Sequence, residues 1–181
     1  MRKIIHKLFW AWDFDKEEKW LNEMSAIGLQ LAAVNFGRYD FDEGEPGEYM
    51  YRMELLKHSL SHPESEKYIR FLEETGVQNV GYLKNWAYFR KKADSCGFDI
   101  YSDFESRIKH LKRVRNLISI LMAVELICFM YEFFAMIITG YYMISILAAA
   151  LLILMILMGC GIFKLQSKIK NLQRDFSLHE H

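Results

Sequence analysis

Cysteine is scarce in this chain of 181 residues, and what there is does not cluster. Cys96, Cys128 and Cys160 show no CxxC spacing, so neither a disulfide framework nor a zinc site is implied. Proline is scarcer still, at two residues, one in an acidic loop (Pro46) and one at a helix start (Pro63). No Walker loop, nucleophile elbow, HExxH or dinucleotide fingerprint is present, so the chain is expected to be no enzyme and to carry no cofactor. Net charge is also absent, with 23 Lys/Arg against 23 Asp/Glu. That zero conceals a division. Residues 1–106 hold 14 Lys/Arg and 19 Asp/Glu, whereas residues 107–181 hold 9 and 4. A phosphate chain wants a basic groove, so an acidic N-terminal part argues against nucleic acid. The start Met1-Arg2-Lys3 opens an apolar run that His6-Lys7 breaks and Asp13 ends, which is not the pattern of a signal peptide.

What is abundant is apolar length near the C-terminus. Leu117 to Ile138 is interrupted only by Ser119, Glu125 and Glu132, and Met143 to Phe163 has no charge at all. About 20 apolar residues cross a bilayer core of roughly 30 Å as a helix, and both runs reach that length. Their link, Thr139-Gly140-Tyr141-Tyr142, allows only a helical hairpin, so both ends emerge on one side. Arg107, Lys109, Lys112, Arg113 and Arg115 precede the first run, Lys164, Lys168, Lys170 and Arg174 follow the second, and the link has no basic residue. Basic flanks stay inside, so a bacterial inner-membrane hairpin with both termini cytoplasmic is expected. Tyr131, Phe133, Phe134, Tyr141 and Tyr142 would form the interfacial belt at the far end. The lipid bilayer is thus the first expected partner, and the alternative is a buried soluble hairpin.

Residues 1–92 read as an α+β domain. Lys3 to Trp12 alternates as a strand, and Asp13 or Asp15 caps a helix with Trp20, Leu21, Met24 and Ile27 at helical spacing up to Gly28. Residues 29–57 read as a hairpin around Asp42-Glu43-Gly44-Glu45-Pro46-Gly47. Pro63 opens a second helix that Gly76 closes, and residues 77–92 are extended with a kink at Lys84-Asn85. The order βαββαβ predicts a ferredoxin-like domain with one open sheet face. Residues 93–103 are a connector in which Ser102 or Asp103 caps the next helix. Residues 104–176 form the membrane hairpin, and 177–181 a tail. Phe104, Ile108, Leu111 and Ile118 share one stripe, and Ile162, Leu165, Ile169, Leu172 and Phe176 another. That rhythm predicts either a short cytoplasmic helical stalk with a packed seam or two separate interfacial helices.

Three constellations stand out. Glu125 and Glu132, seven apart on one face of the first span, are the candidate intramembrane contact. A carboxylate at that depth is costly. It either meets another polypeptide, a proton or an ion, or bonds Ser119, Ser145, Thr139 or a twofold mate. Trp10, Trp12, Tyr49, Tyr51, Trp86 and Tyr88 are the candidate sheet-face residues for an apolar or peptide ligand or partner, against plain core and dimer packing. His58 and His62 could share a metal on a turn, but no third ligand is evident from spacing, which favours an ordinary loop.

The stretch Phe9-Trp10-Ala11-Trp12-Asp13-Phe14-Asp15-Lys16-Glu17-Glu18-Lys19-Trp20-Leu21-Asn22-Glu23-Met24, then Gly28-Leu29 and the closing Trp86-Ala87-Tyr88-Phe89-Arg90-Lys91, resembles the DUF2812 family of bacterial membrane-anchored proteins over roughly residues 5–92. Where members often read Gly-Trp after the second helix, this chain has Gly76-Val77. The resemblance implies no catalytic residue. It implies a link to transcriptional regulation, since members are often encoded beside PadR-like regulators. The expected function is therefore a membrane-anchored cytoplasmic sensing or protein-interaction module, with a protein partner or a second copy. The alternative is an accessory subunit of a membrane transporter, contacting it through the first span.

Overall fold

Six strands, where the sequence suggested four, make up the N-terminal half of the protein. The structure is a computed structural model that describes residues 2–93, 98–100, 104–140 and 142–179. It divides into two units, Met1–Asp103 and Phe104–His181. Cys96, Tyr141 and the expected caps Ser102 and Asp103 lie outside the described residues.

The first unit runs β1 (Arg2–His6), a 3₁₀ turn (Ala11–Asp13), α1 (Phe14–Ala26), β2 (Leu29–Asn35), β3 (Arg38–Glu43), β4 (Tyr49–Leu55), α2 (Pro63–Glu74), β5 (Gln78–Leu83) and β6 (Trp86–Lys92). The strands form two antiparallel sheets of three, ordered β1-β3-β2 and β4-β6-β5. The domain is therefore mixed α+β as expected, but the ferredoxin-like order of four strands in one sheet gives way to a different topology. Two hairpin turns account for the difference. Phe36-Gly37 reverses the chain between Asn35 and Arg38, with Gly37 at φ +66°, so residues 29–39 are not one strand. Lys84-Asn85 does the same between Leu83 and Trp86, with Lys84 at φ +54°. What reads as a kink is a full reversal. Nor does the first strand reach Trp12, since the Asp13 amide bonds back to the Trp10 carbonyl at 2.8 Å and starts helical winding.

The second half of this unit repeats the first as β-α-β-β. One constant offset carries Ala33 paired with Asp40 onto Gly81 paired with Tyr88, and Leu31 paired with Phe41 onto Asn79 paired with Phe89. The β-bulge falls at the same place in both hairpins, and both helices lead into a left-handed glycine, Gly28 at φ +84° and Gly76 at φ +82°. Phe41 and Phe89 occupy equivalent places, and both are fully buried.

The halves are joined through α1 against β4 and through the edges of β2 and β5. β4 is an edge strand, and its outward backbone groups need partners. Ser25 Oγ donates to the Tyr49 carbonyl at 2.6 Å. Asn22 accepts from the Tyr51 amide at 2.8 Å and donates to its carbonyl at 3.0 Å. Glu18 accepts from the Met53 amide at 3.1 Å. Positions 18, 22 and 25 share one helical face, and 49, 51 and 53 share one strand edge, so the helix takes the place of a neighbouring strand. On the opposite edges β2 and β5 approach closely, because a Cβ at Gly81 would lie 3.1 Å from Val34 Cγ1.

The second unit is α3 (Phe104–Thr139) and α4 (Tyr142–His179), both long and apolar enough to cross a membrane. Ile108, Leu111, Val114 and Ile118 of α3 are buried with Leu165 and Ile169 of α4, and Arg115 Nη1 donates to Gln166 Oε1 at 2.8 Å. The seam read from the stripes is present, except that Phe104 is exposed and the Phe176 side chain lies outside those described. Farther along, Ile127, Ile137, Ile153 and Ile156 are all more than half exposed. A core helix of a water-soluble domain would hide such side chains; these need an apolar surrounding.

Candidate functional site

A cavity of about 430 Å³ opens in the first unit, a volume suited to a small molecule. Leu8, Phe9, Trp10 and Ala11, between β1 and α1, form one wall. Phe14 and Glu17 come from α1, Phe36 from the β2–β3 turn, Met53 from β4, and Leu83, Trp86 and Tyr88 from the β5–β6 hairpin. Both repeats contribute, and five of the lining residues are Phe or Trp. Phe14 and Trp86 lie 5.5 Å apart between ring centroids.

One lining residue is acidic. Glu17 lies on the same α1 face as Phe14 and Leu21 and is 7% exposed. Its Oε1 accepts from both the Tyr39 and the Tyr88 hydroxyl, each at 2.6 Å. Tyr39 is on β3 and Tyr88 on β6, so this carboxylate ties the two sheets together. Burial pushes the Glu17 pKa up, and the two hydroxyl bonds hold it back in part. Burial and the neighbouring Glu17 charge push both tyrosines up as well, so they stay neutral donors. Glu17 Oε2 has no hydrogen-bond partner among the described residues.

The six aromatic residues singled out in the sequence do not share an open sheet face. Trp10, Trp86 and Tyr88 line the cavity. Trp12 is buried and stacks on Trp10 at 5.0 Å. Tyr51 is buried, its hydroxyl accepting from the Leu31 amide and bonding Gln30 Oε1. Tyr49 lies under the Arg90 guanidinium at 4.2 Å. Three of the six instead line a concave site, because the chain between β1 and α1 and the two hairpin turns enclose it. Sequence reasoning missed Glu17, reading it as first-turn helix charge, along with Phe14. The available signal was an acid three residues after Phe14 and four before Leu21, on an apolar stripe.

Glu125 is buried in α3, and neither carboxylate oxygen has a hydrogen-bond partner among the described residues. Glu132 is partly exposed. Two of the hydroxyls expected to answer Glu125 turn elsewhere. Ser119 donates to the Arg115 carbonyl and Thr139 to the Ala135 carbonyl, while the Ser145 side chain is not among those described.

His58 and His62 stack at 4.1 Å, and Glu64 joins them, the third group that spacing did not reveal. Local structure already engages His62 and Glu64, whereas His58 Nε2 is buried with no hydrogen-bond partner among the described residues. His62 Nδ1 caps α2 by accepting from the Glu64 amide, and the Glu64 carboxylate lies 3.0 Å from His58 Nε2 and 3.8 Å from Lys57 Nζ.

No curated protein and no solved structure matches this chain. Residues 13–123, more than half of it, match the model of a family described as "Protein of unknown function (DUF2812)". The match takes in α1 with Glu17, both hairpins with Trp86 and Tyr88, and α3 as far as Ala123, and by it the chain belongs to the DUF2812 family.

Proposed function

We propose that this protein is a membrane-anchored sensing module whose N-terminal domain binds an aromatic or otherwise apolar small molecule in the cytoplasm. The observation that carries the reading is the aromatic cavity built from both repeats. On this reading α3 and α4 anchor the chain in the bacterial inner membrane with both termini inside, as the basic flanks favour. A ligand bridging both repeats would stiffen the domain, which is a change a regulatory partner can read. The test uses full-length protein in a neutral detergent, titrated calorimetrically with triphenylphosphine oxide against a detergent blank. Saturable binding is expected, with Trp86→Ala weakening it about tenfold, as loss of roughly 1.4 kcal/mol of aromatic contact would give. Absence of saturable binding, or equal affinity in a folded Trp86→Ala variant, overturns the reading.

One observation favours a second reading, an accessory subunit of a membrane transporter that engages its partner through α3. A buried carboxylate whose two oxygens have no partner among the described residues is costly to keep, and a transporter helix that supplied a hydrogen-bonding group to it would offset that cost. On that reading Glu125→Leu abolishes a complex recovered in mild detergent, and Glu125→Gln, which still hydrogen-bonds, retains it. Recovery unchanged by both substitutions removes its support.

A further inference from the structure

We infer that the cavity is a site for a lipophilic organic cation, with Glu17 as its counter-charge. This rests on the cavity being a binding site at all and adds the chemical class of what it takes.

The first support is how Glu17 is held. Its role in joining β3 to β6 needs only Oε1, which receives both tyrosine hydroxyls. A glutamine would serve that role as well, since its carbonyl oxygen also accepts two bonds. The carboxylate has a second oxygen, Oε2, with no partner among the described residues, at a residue that lines the cavity and is 7% exposed. Oε2 is not sealed from solvent, so a ligand in the cavity can reach it, and no Lys or Arg is among the cavity-lining residues to neutralise it. A cationic ligand supplies the missing charge.

The second support is the wall itself. Ring faces carry negative potential and attract cations, most strongly indole. Trp10, Trp86 and Phe14 supply such rings to the cavity that Glu17 also lines. One further lining ring, Phe9, already holds a cation, because Lys7 Nζ lies 5.0 Å from its centroid and 4.6 Å from that of the neighbouring Trp20. An inorganic ion does not fit this chemistry. It would need several oxygen ligands, and the cavity offers one carboxylate among hydrocarbon. An apolar body with a delocalised or buried positive charge meets both the rings and Glu17.

The experiment compares tetraphenylphosphonium with tetraphenylborate, ions of one shape and opposite charge, titrated into full-length protein in neutral detergent with detergent-only blanks. The parent is expected to bind the phosphonium at least about tenfold more tightly than the borate. Glu17→Gln keeps the acceptor for Tyr39 and Tyr88, so it should fold. It is expected to lose at least about tenfold more in phosphonium affinity than in affinity for neutral triphenylphosphine oxide. Equal binding of the two ions, or phosphonium affinity unchanged in Glu17→Gln, overturns the cation assignment and leaves the cavity reading standing. If neither ion binds, the assignment falls, and the neutral probe decides separately whether the cavity reading falls with it.

Discussion

Leu165→Asp is expected to open the helical hairpin at its basic end, at a cost of about 4 kcal/mol or more. Leu165 is fully buried, as is Val114, and Leu111 and Ile169 are nearly so. Losing the leucine forfeits roughly 2 kcal/mol of burial, and the aspartate puts a carboxylate among buried seam residues that include no Lys or Arg. Insertion should be unaffected, because the substitution lies beyond the uncharged run Met143 to Phe163. Limited trypsin digestion of full-length protein checks this, with Arg107, Lys109, Lys112 and Lys168 as sites. The variant should be cut there markedly faster than the parent, and Leu165→Ala should fall between. A tryptic pattern identical to the parent's would mean that the two helices do not depend on one another at that level.

That seam was legible because stripes of one residue type repeating by three and four leave few ways to pack. The two apolar 20-residue runs were legible for a similar reason, as length and hydropathy act locally. The strands were harder. Leu29 to Tyr39 alternates well enough to pass for one strand, and only the positive φ at Gly37 makes it two. A glycine inside a strand pattern has several readings, of which a turn is one. Lys84 is harder still, since nothing about a lysine announces a left-handed backbone. With both turns missed, the βαββ repeat was invisible, and with it the fact that two hairpins and the segment before α1 enclose a cavity. Trp10, Trp86 and Tyr88 were singled out because large aromatics on strands attract notice. Glu17 was passed over because glutamate in a first helical turn has an ordinary explanation in the helix dipole. Its burial comes from tyrosines far along the chain, Tyr39 and Tyr88, which no local pattern brings to it.

The neighbouring Glu18 is expected to make the first unit less stable as pH rises from about 4.5 to about 7. Burial against β4 pushes its pKa from the usual 4.5 up to about 7. Arg52 at 3.3 Å and the Met53 amide at 3.1 Å hold it back only in part, and Asp15 and Asp99 add to the rise. The sign follows from proton counting. Below pH 4.5 both folded and unfolded chains hold the proton and the stabilising contribution is complete. Between 4.5 and 7 the unfolded chain releases it while the folded chain keeps it, so stability falls by up to about 3 kcal/mol and then levels off. Glu17 titrates in the same direction, so the parent's profile alone does not isolate Glu18. Glu18→Gln does, because an amide oxygen still accepts from Met53 and has no proton to lose. The variant should gain on the parent by about 2.5 kcal/mol between pH 5 and pH 8. All four tryptophans, Trp10, Trp12, Trp20 and Trp86, lie in the first unit, so their fluorescence during urea unfolding of the full chain reports that unit alone. A difference between variant and parent that stays constant from pH 5 to pH 8 would mean that Glu18 is already ionised in the folded protein at pH 5, with Arg52 outweighing its burial.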